Sequence, residues 1–148
     1  MQITELIGPD QVIVGLRVAG KPQLLHELAR RAAIARSMDQ SVVFDALMAR
    51  ERLGSTGFGK GFALPHARIP ALPEVFGLFV RLARPIDFAA VDERPVDLVI
   101  LLLTQASESA QHLPALAAIS RPLRDEAFVR RLRQAPDARA VYEVLARG

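Results

Sequence analysis

At 148 residues, with 51% apolar and 24% charged side chains, the chain has the size and balance of one globular domain, long enough to bury about two-thirds of its unfolded surface. The absence of cysteine excludes a disulfide frame, thiolate metal ligation and a thiol nucleophile. Net charge is only +3, with one tyrosine, no tryptophan and core-patterned phenylalanines, so the arginine-driven high pI does not translate into a nucleic-acid surface. Charged and turn-forming residues from Glu5 onward leave no signal-peptide pattern. The apolar run Leu98 to Leu103 is far short of the roughly 20 residues of a membrane span, so the expectation is a cytoplasmic protein without membrane insertion.

Val12, Val14, Leu16 and Val18 alternate along one side of a strand expected over Gln11 to Val18. From Lys21 to Ser37 the spacing of Leu24, Leu28, Ala32 and Ala35, widened by Leu25 and Ala29, predicts a helix. Asp39 is a natural cap for a second helix reaching about Arg52, with Val43, Phe44 and Leu47 on its buried face. Gly54 to Gly61 breaks this pattern, and Phe62 to Leu64 reads as a short strand ended by Pro65. Val75 to Leu82 and Val96 to Leu103 have strand length and composition, the second so apolar that it belongs mid-sheet with both faces covered. Between them Arg84 to Phe88 reads as a short edge segment, because Pro85 does not suit a central strand. Beyond Thr104 the chain turns helical, with Leu113, Leu116, Ala117 and Ser120 on one face. Asp125 and Asp137 then cap helices carrying Phe128, Val129 and Leu132, and Val141, Val144 and Leu145. This order predicts an α/β layered single domain, residues 1–148, with a central mixed β-sheet flanked by helices.

The segment from Arg50 to Arg68 concentrates the chemistry. Gly54, Gly57, Gly59 and Gly61 free the backbone to approach an anion. The spacing Gly54, Gly59, Lys60 nearly spells a phosphate-binding loop, but Gly61 stands where the magnesium-binding hydroxyl belongs. A helix leads into this loop and a strand leads out, the reverse of a P-loop. Ser55 and Thr56 lack a nucleophile elbow around them. His66 follows a strand with Pro65 restricting its backbone, and imidazole can act as both nucleophile and leaving group near neutral pH. His66 is therefore the candidate acceptor, with Arg50 and Arg68 the flanking charges and the glycines a candidate anion-approaching backbone. His112, early in the helical stretch from Ser109, is a candidate second imidazole, although spacing alone does not bring the two together. His26 is expected to be exposed and inert. Asp87, Asp92 and Asp97 suit turns, and the arginines between Asp125 and Arg133 suit a solvated helix face. The histidine spacing makes no metal site.

At these residues the chain resembles the enzyme IIA family of the bacterial phosphoenolpyruvate-dependent phosphotransferase system, fructose/mannitol type, and its nitrogen-regulatory branch most of all. Three stretches carry the likeness: Arg50 to Gly57 through Pro65-His66, Arg94 to Leu98, and His112-Leu113 through Leu123-Arg124-Asp125. The resemblance implies that His66 accepts a phosphoryl group from an HPr-like phosphocarrier, that His112 lies beside it as a supporting imidazole, that Arg50 stabilises phosphate charge, and that Gly54, Ser55, Thr56, Gly57 and Gly59 shape a phosphate pocket. It implies no cofactor. It also implies regulatory target proteins of the potassium-transport or sensor-kinase type, with no sugar-transport segment or cysteine-bearing IIB domain fused to the chain. A sugar-specific enzyme IIA donating to a separate IIB, or a binding module that turns over no phosphate, are the alternatives. Pro114, Pro122, Lys60 and the missing proline after Leu103 depart from the family pattern. Pro114 would remove a helix hydrogen bond unless it falls in the first turn.

Overall fold

The computed structural model describes residues 1–70, 72–105 and 112–147. The start of the helical stretch expected from Ser109 lies outside them. A short helix, α1 (Ile3–Leu6), and a 3₁₀ turn lead into β1 (Val12–Leu16). Then follow α2 (Lys21–Arg36), α3 (Gln40–Arg52), β2 (Phe62–Ala63), β3 (His66–Ile69), β4 (Phe76–Ile86), β5 (Val96–Gln105), α4 (His112–Ser120), α5 (Glu126–Gln134) and α6 (Ala138–Arg147). The sheet runs β1-β4-β5-β2, with β3 also on β5. β4 is antiparallel to β5, whereas β1 pairs with β4, and β2 and β3 with β5, in parallel. This is the expected mixed sheet.

Both faces of the sheet are covered. Val99, Leu101 and Leu103 of β5 point into the layer of α2 and α3, while Leu98, Ile100 and Leu102 point into the layer of α1, α4, α5 and α6. All six are fully buried, each stabilising by roughly 1.5–3 kcal/mol relative to exposure, which accounts for the lack of period-2 alternation in their sequence. Gly77 answers a spatial demand on β4. A Cβ there would stand 2.8 Å from the Leu6 carbonyl oxygen and from Ile7 Cγ1, so only glycine lets α1 close on the sheet.

The elements depart from the sequence reading at specific residues. β1 does not keep four residues on one side. Gly15, at φ +85°, opens a bulge between Val14 and Leu16. Val12 and Val14 therefore face the α1/α6 layer, and Leu16 and Val18 the α2/α3 layer. In α2 the buried stripe ends on Ala32 and Ala33, with Ala35 exposed. Rather than ending at Leu82 before a separate edge segment, β4 continues through Pro85 to Ile86, which pairs with Val96. The expected face of α4 is rotated. Ala115 and Ile119 are buried and Leu113 is 74% exposed. Pro114 is the third described residue of α4 (His112–Ser120), so the helix continues past it to Ser120. Asp125 and Asp137 act as the expected caps, receiving Ala127 N–H and Ala140 N–H at 2.9 and 2.8 Å. Arg133 is not a free surface arginine. Its guanidinium grips Asp97 at 2.9–3.3 Å and donates to the Lys60 carbonyl at 2.9 Å, and it passes 2.4 Å from where a Cβ on Gly61 would sit.

Candidate functional site

Pro65 separates two short edge strands instead of ending one. Phe62 and Ala63 pair with Leu98 and Val99, the Pro65 carbonyl accepts Leu102 N–H at 3.0 Å, and pairing resumes with His66 opposite Leu102. His66 thus follows one short strand, as expected, and also opens the next. The residue is 9% exposed, and its ring lies beside the last turns of α3.

The hydrogen bonds of His66 fix its tautomer. Nδ1 lies 2.8 Å from the Leu64 carbonyl oxygen, which can only accept, so Nδ1 carries the hydrogen. Nε2 is left with its lone pair, and Arg50 Nε–H donates to it at 3.3 Å. Arg50 Nη1 also donates to the Gly54 carbonyl at 2.9 Å, steadying the guanidinium from the other side. His112 approaches from the start of α4, its ring centroid 5.9 Å from that of His66 and tilted by 48°. Thr104, fully buried near the end of β5, holds His112 Nδ1 through its hydroxyl at 2.7 Å. Beside both rings a cleft of about 420 Å³ is walled by Ala46, Ala49, Leu53 and Ala67, with Arg50 and Arg68 supplying charge.

The sequence candidates therefore divide. His66, His112, Arg50 and Arg68 meet at one cleft. Ser55, Thr56, Gly57 and Gly59 are not among the described residues that line it, and Gly54 reaches it only as the acceptor that braces Arg50. The loop packs on the 87–95 connection. Ser55 Oγ donates to the Phe88 carbonyl at 3.4 Å, the Gly57 carbonyl accepts Val91 N–H at 2.8 Å, and a Cβ on Gly57 would lie 3.0 Å from Ala90 and Phe88. Lys60, at φ +59°, is tied through its backbone N–H to Asp92 at 2.9 Å. Gly57 and Gly59 let this loop lie close against Ala90, Phe88 and Asp92. His26 is exposed as expected, its ring stacked 3.8 Å from Phe44. Thr104 and Glu51 were missed. A hydroxyl closing an otherwise apolar strand was the available signal for Thr104, while Glu51, set between two arginines, resembled helix-surface charge. Among the described residues no cluster of three potential metal ligands occurs, and no helix is long and apolar enough to cross a membrane.

Burial holds the His66 pKa below its ordinary value of 6.5, and the nearby Arg50 charge acts in the same direction. His112 is lowered as well, by burial, then by Arg68 and His66. A lowered imidazole pKa means the unfolded chain binds more protons below pH 6.5, so these rings contribute stability above that value which is lost as the pH falls beneath it. Urea unfolding at a series of pH values is expected to give a midpoint that declines below about pH 6.5, and the His66→Gln, His112→Gln double variant a flatter profile.

His66 thus presents a neutral, oriented imidazole to the cleft, flanked by the Arg50 and Arg68 guanidiniums. Residues 5–148 match the family described as phosphoenolpyruvate-dependent sugar phosphotransferase system, EIIA 2. The chain belongs to that family. It is 48% identical, over 99% of its length and 95% of the relative's, to a nitrogen regulatory protein of Bradyrhizobium diazoefficiens. To one of Pseudomonas aeruginosa it is 36% identical over 98% and 95%. The crystal structure of the nitrogen regulatory protein IIA-Ntr from Neisseria meningitidis superposes with a TM-score of 0.90 at 30% identity, covering 97% of this chain and 98% of that one.

Proposed function

We propose that the protein is a phosphoryl carrier with a nitrogen-regulatory output, taking a phosphoryl group on Nε2 of His66 from a phosphohistidine of a small HPr-like carrier. The observation that carries this reading is the tautomer: Nδ1–H bound to the Leu64 carbonyl leaves the Nε2 lone pair as the nucleophile. In the transfer that pair forms the new N–P bond while the donor's N–P bond breaks, its electrons returning to the donor imidazole. Positive charge gained by the His66 ring spreads onto Nδ1–H, where the Leu64 carbonyl stabilises it. Arg50 then exchanges Nε2 for the phosphoryl oxygens, with Arg68 and His112 alongside. Each charge-assisted bond contributes about 1.5–3 kcal/mol before desolvation. Positioning and charge stabilisation are most of what phosphoryl transfer requires, and a phosphoramidate donor is already activated, so the step needs no nucleotide or metal.

The new dianion converts a neutral ring into a charged surface feature. That change biases binding to target proteins, which we assign to potassium-transport or sensor-kinase regulators. Intact-mass measurement after incubation with phosphoenolpyruvate, enzyme I and HPr-type carriers tests the reading. An acid-labile gain of one phosphoryl group is expected. No gain from any donor by the folded protein would leave a binding module instead.

The donor's docking face includes Leu53 and Leu113, 84% and 74% exposed at the cleft and beside His112. Leu113→Ala, outside the cleft lining, is expected to slow uptake from the carrier protein by about tenfold, as loss of an interface anchor does. Uptake from the small donor phosphoramidate should be unchanged, and parallel time courses measure the difference.

A further inference from the structure

A largely buried ion pair, Glu51 with Lys21, is joined to His66 by a chain of three hydrogen-bonded links. Glu51, whose side chain is 5% exposed, holds Lys21 Nζ at 2.8 Å and accepts from both Thr56 N–H, at 3.1 Å, and the Thr56 hydroxyl. Lys21 is pinned in turn over the Phe88 ring, 4.3 Å from its centroid. Thr56 is wholly buried, and its carbonyl accepts Leu64 N–H at 3.0 Å. The Leu64 carbonyl, at the other side of that residue, is the acceptor for His66 Nδ1–H at 2.8 Å.

We infer that Glu51, braced by Lys21, is a positioning residue for the phosphoacceptor: through Thr56 and the Leu64 peptide it fixes the carbonyl that keeps His66 in its Nδ1–H tautomer. The helix geometry reinforces this assignment. Glu51 follows Arg50, so one turn of α3 carries both the guanidinium that meets Nε2 and the carboxylate that sets Nδ1. A burden as large as desolvating a carboxylate and an ammonium is retained where orientation matters, as second-sphere carboxylates do for metal-bound histidines. The Glu51 charge also favours the protonated ring, against burial and Arg50; Arg68 and His112 are the other charged or titratable groups at the cleft.

The inference rests on His66 being the acceptor, but its test does not need the phosphotransferase partners. Long-range ¹H–¹⁵N spectra of the histidine rings should show the Nδ1–H form of His66 in the wild type and in Thr56→Ser, which keeps the hydroxyl. Glu51→Gln should give a mixture of tautomers. Its uptake from phosphoramidate should slow by roughly tenfold, the low end for loss of an outer hydrogen-bonding partner, and the acid limb of its pH profile should move to lower pH. Thr56→Val supplies a milder perturbation of the same link if Glu51→Gln does not fold. A pure Nδ1–H signal in the folded variant, at whatever melting temperature, would overturn the inference and leave Glu51 a merely structural group. Wild type that keeps the tautomer yet takes up no phosphoryl group would instead overturn the carrier reading.

Discussion

His66→Ala is expected to take up no phosphoryl group from any donor, and Arg50→Ala to retain uptake at a rate lower by roughly 10²–10³-fold, the range for removing a preorganised donor to developing charge. The two outcomes follow from different roles at one nitrogen. Removing His66 deletes the nucleophile. Removing Arg50 leaves Nε2 exposed and oriented by the Leu64 carbonyl, but strips the guanidinium standing 3.3 Å away. His112→Ala keeps both, and its slower uptake reports the second imidazole alone. Time courses with phosphoramidate, read as acid-labile mass gain, separate these three. Equal loss in Arg50→Ala and His66→Ala would show that Arg50 is needed for more than charge stabilisation.

Phe79→Ala is expected to lower the unfolding free energy by about 3–5 kcal/mol, a large share of the roughly 5–15 kcal/mol that a domain possesses. Phe79 is fully buried in β4, opposite Ile100 on one side and Val12 on the other, and it faces the layer of α1, α4, α5 and α6. Urea denaturation followed by far-ultraviolet circular dichroism gives the value directly. A cost under about 1 kcal/mol would mean that the layer collapses around the vacancy.

Much of the fold was legible because burial sets the pattern of residues. β5 reads as a central strand because both of its faces are covered, and Asp39, Asp125 and Asp137 announce helix starts because their carboxylates satisfy otherwise unpaired N–H groups. What could not be read depends on a single backbone angle or on a neighbour distant in sequence. Gly15 turns over the second half of β1, which period-2 counting cannot anticipate. The phase of α4 is set by Ala115 and Ile119 packing under Leu123, so Leu113 resembles a core residue until that packing is known. At the site, His66, Arg50 and Arg68 lie close in the chain and were readable as a group. His112 joins them only through Thr104 and the parallel pairing of β3 with β5. The packing of the glycine-rich loop on Ala90 and Phe88 was not legible, because a backbone free to approach an anion can equally approach a neighbouring segment.

The interruptions at Gly15 and Pro65 also matter when many copies of the chain are crowded together. A sheet margin offering an unbroken row of free N–H and C=O groups is a template on which another polypeptide can add a strand. Here the margin on the β1 side is kinked by a bulge, and on the other side Pro65 has no N–H to offer between two short pieces. Neither border presents a flat run long enough to copy. The backbone geometry that delivers the acceptor histidine therefore also discourages sheet-to-sheet aggregation at high concentration.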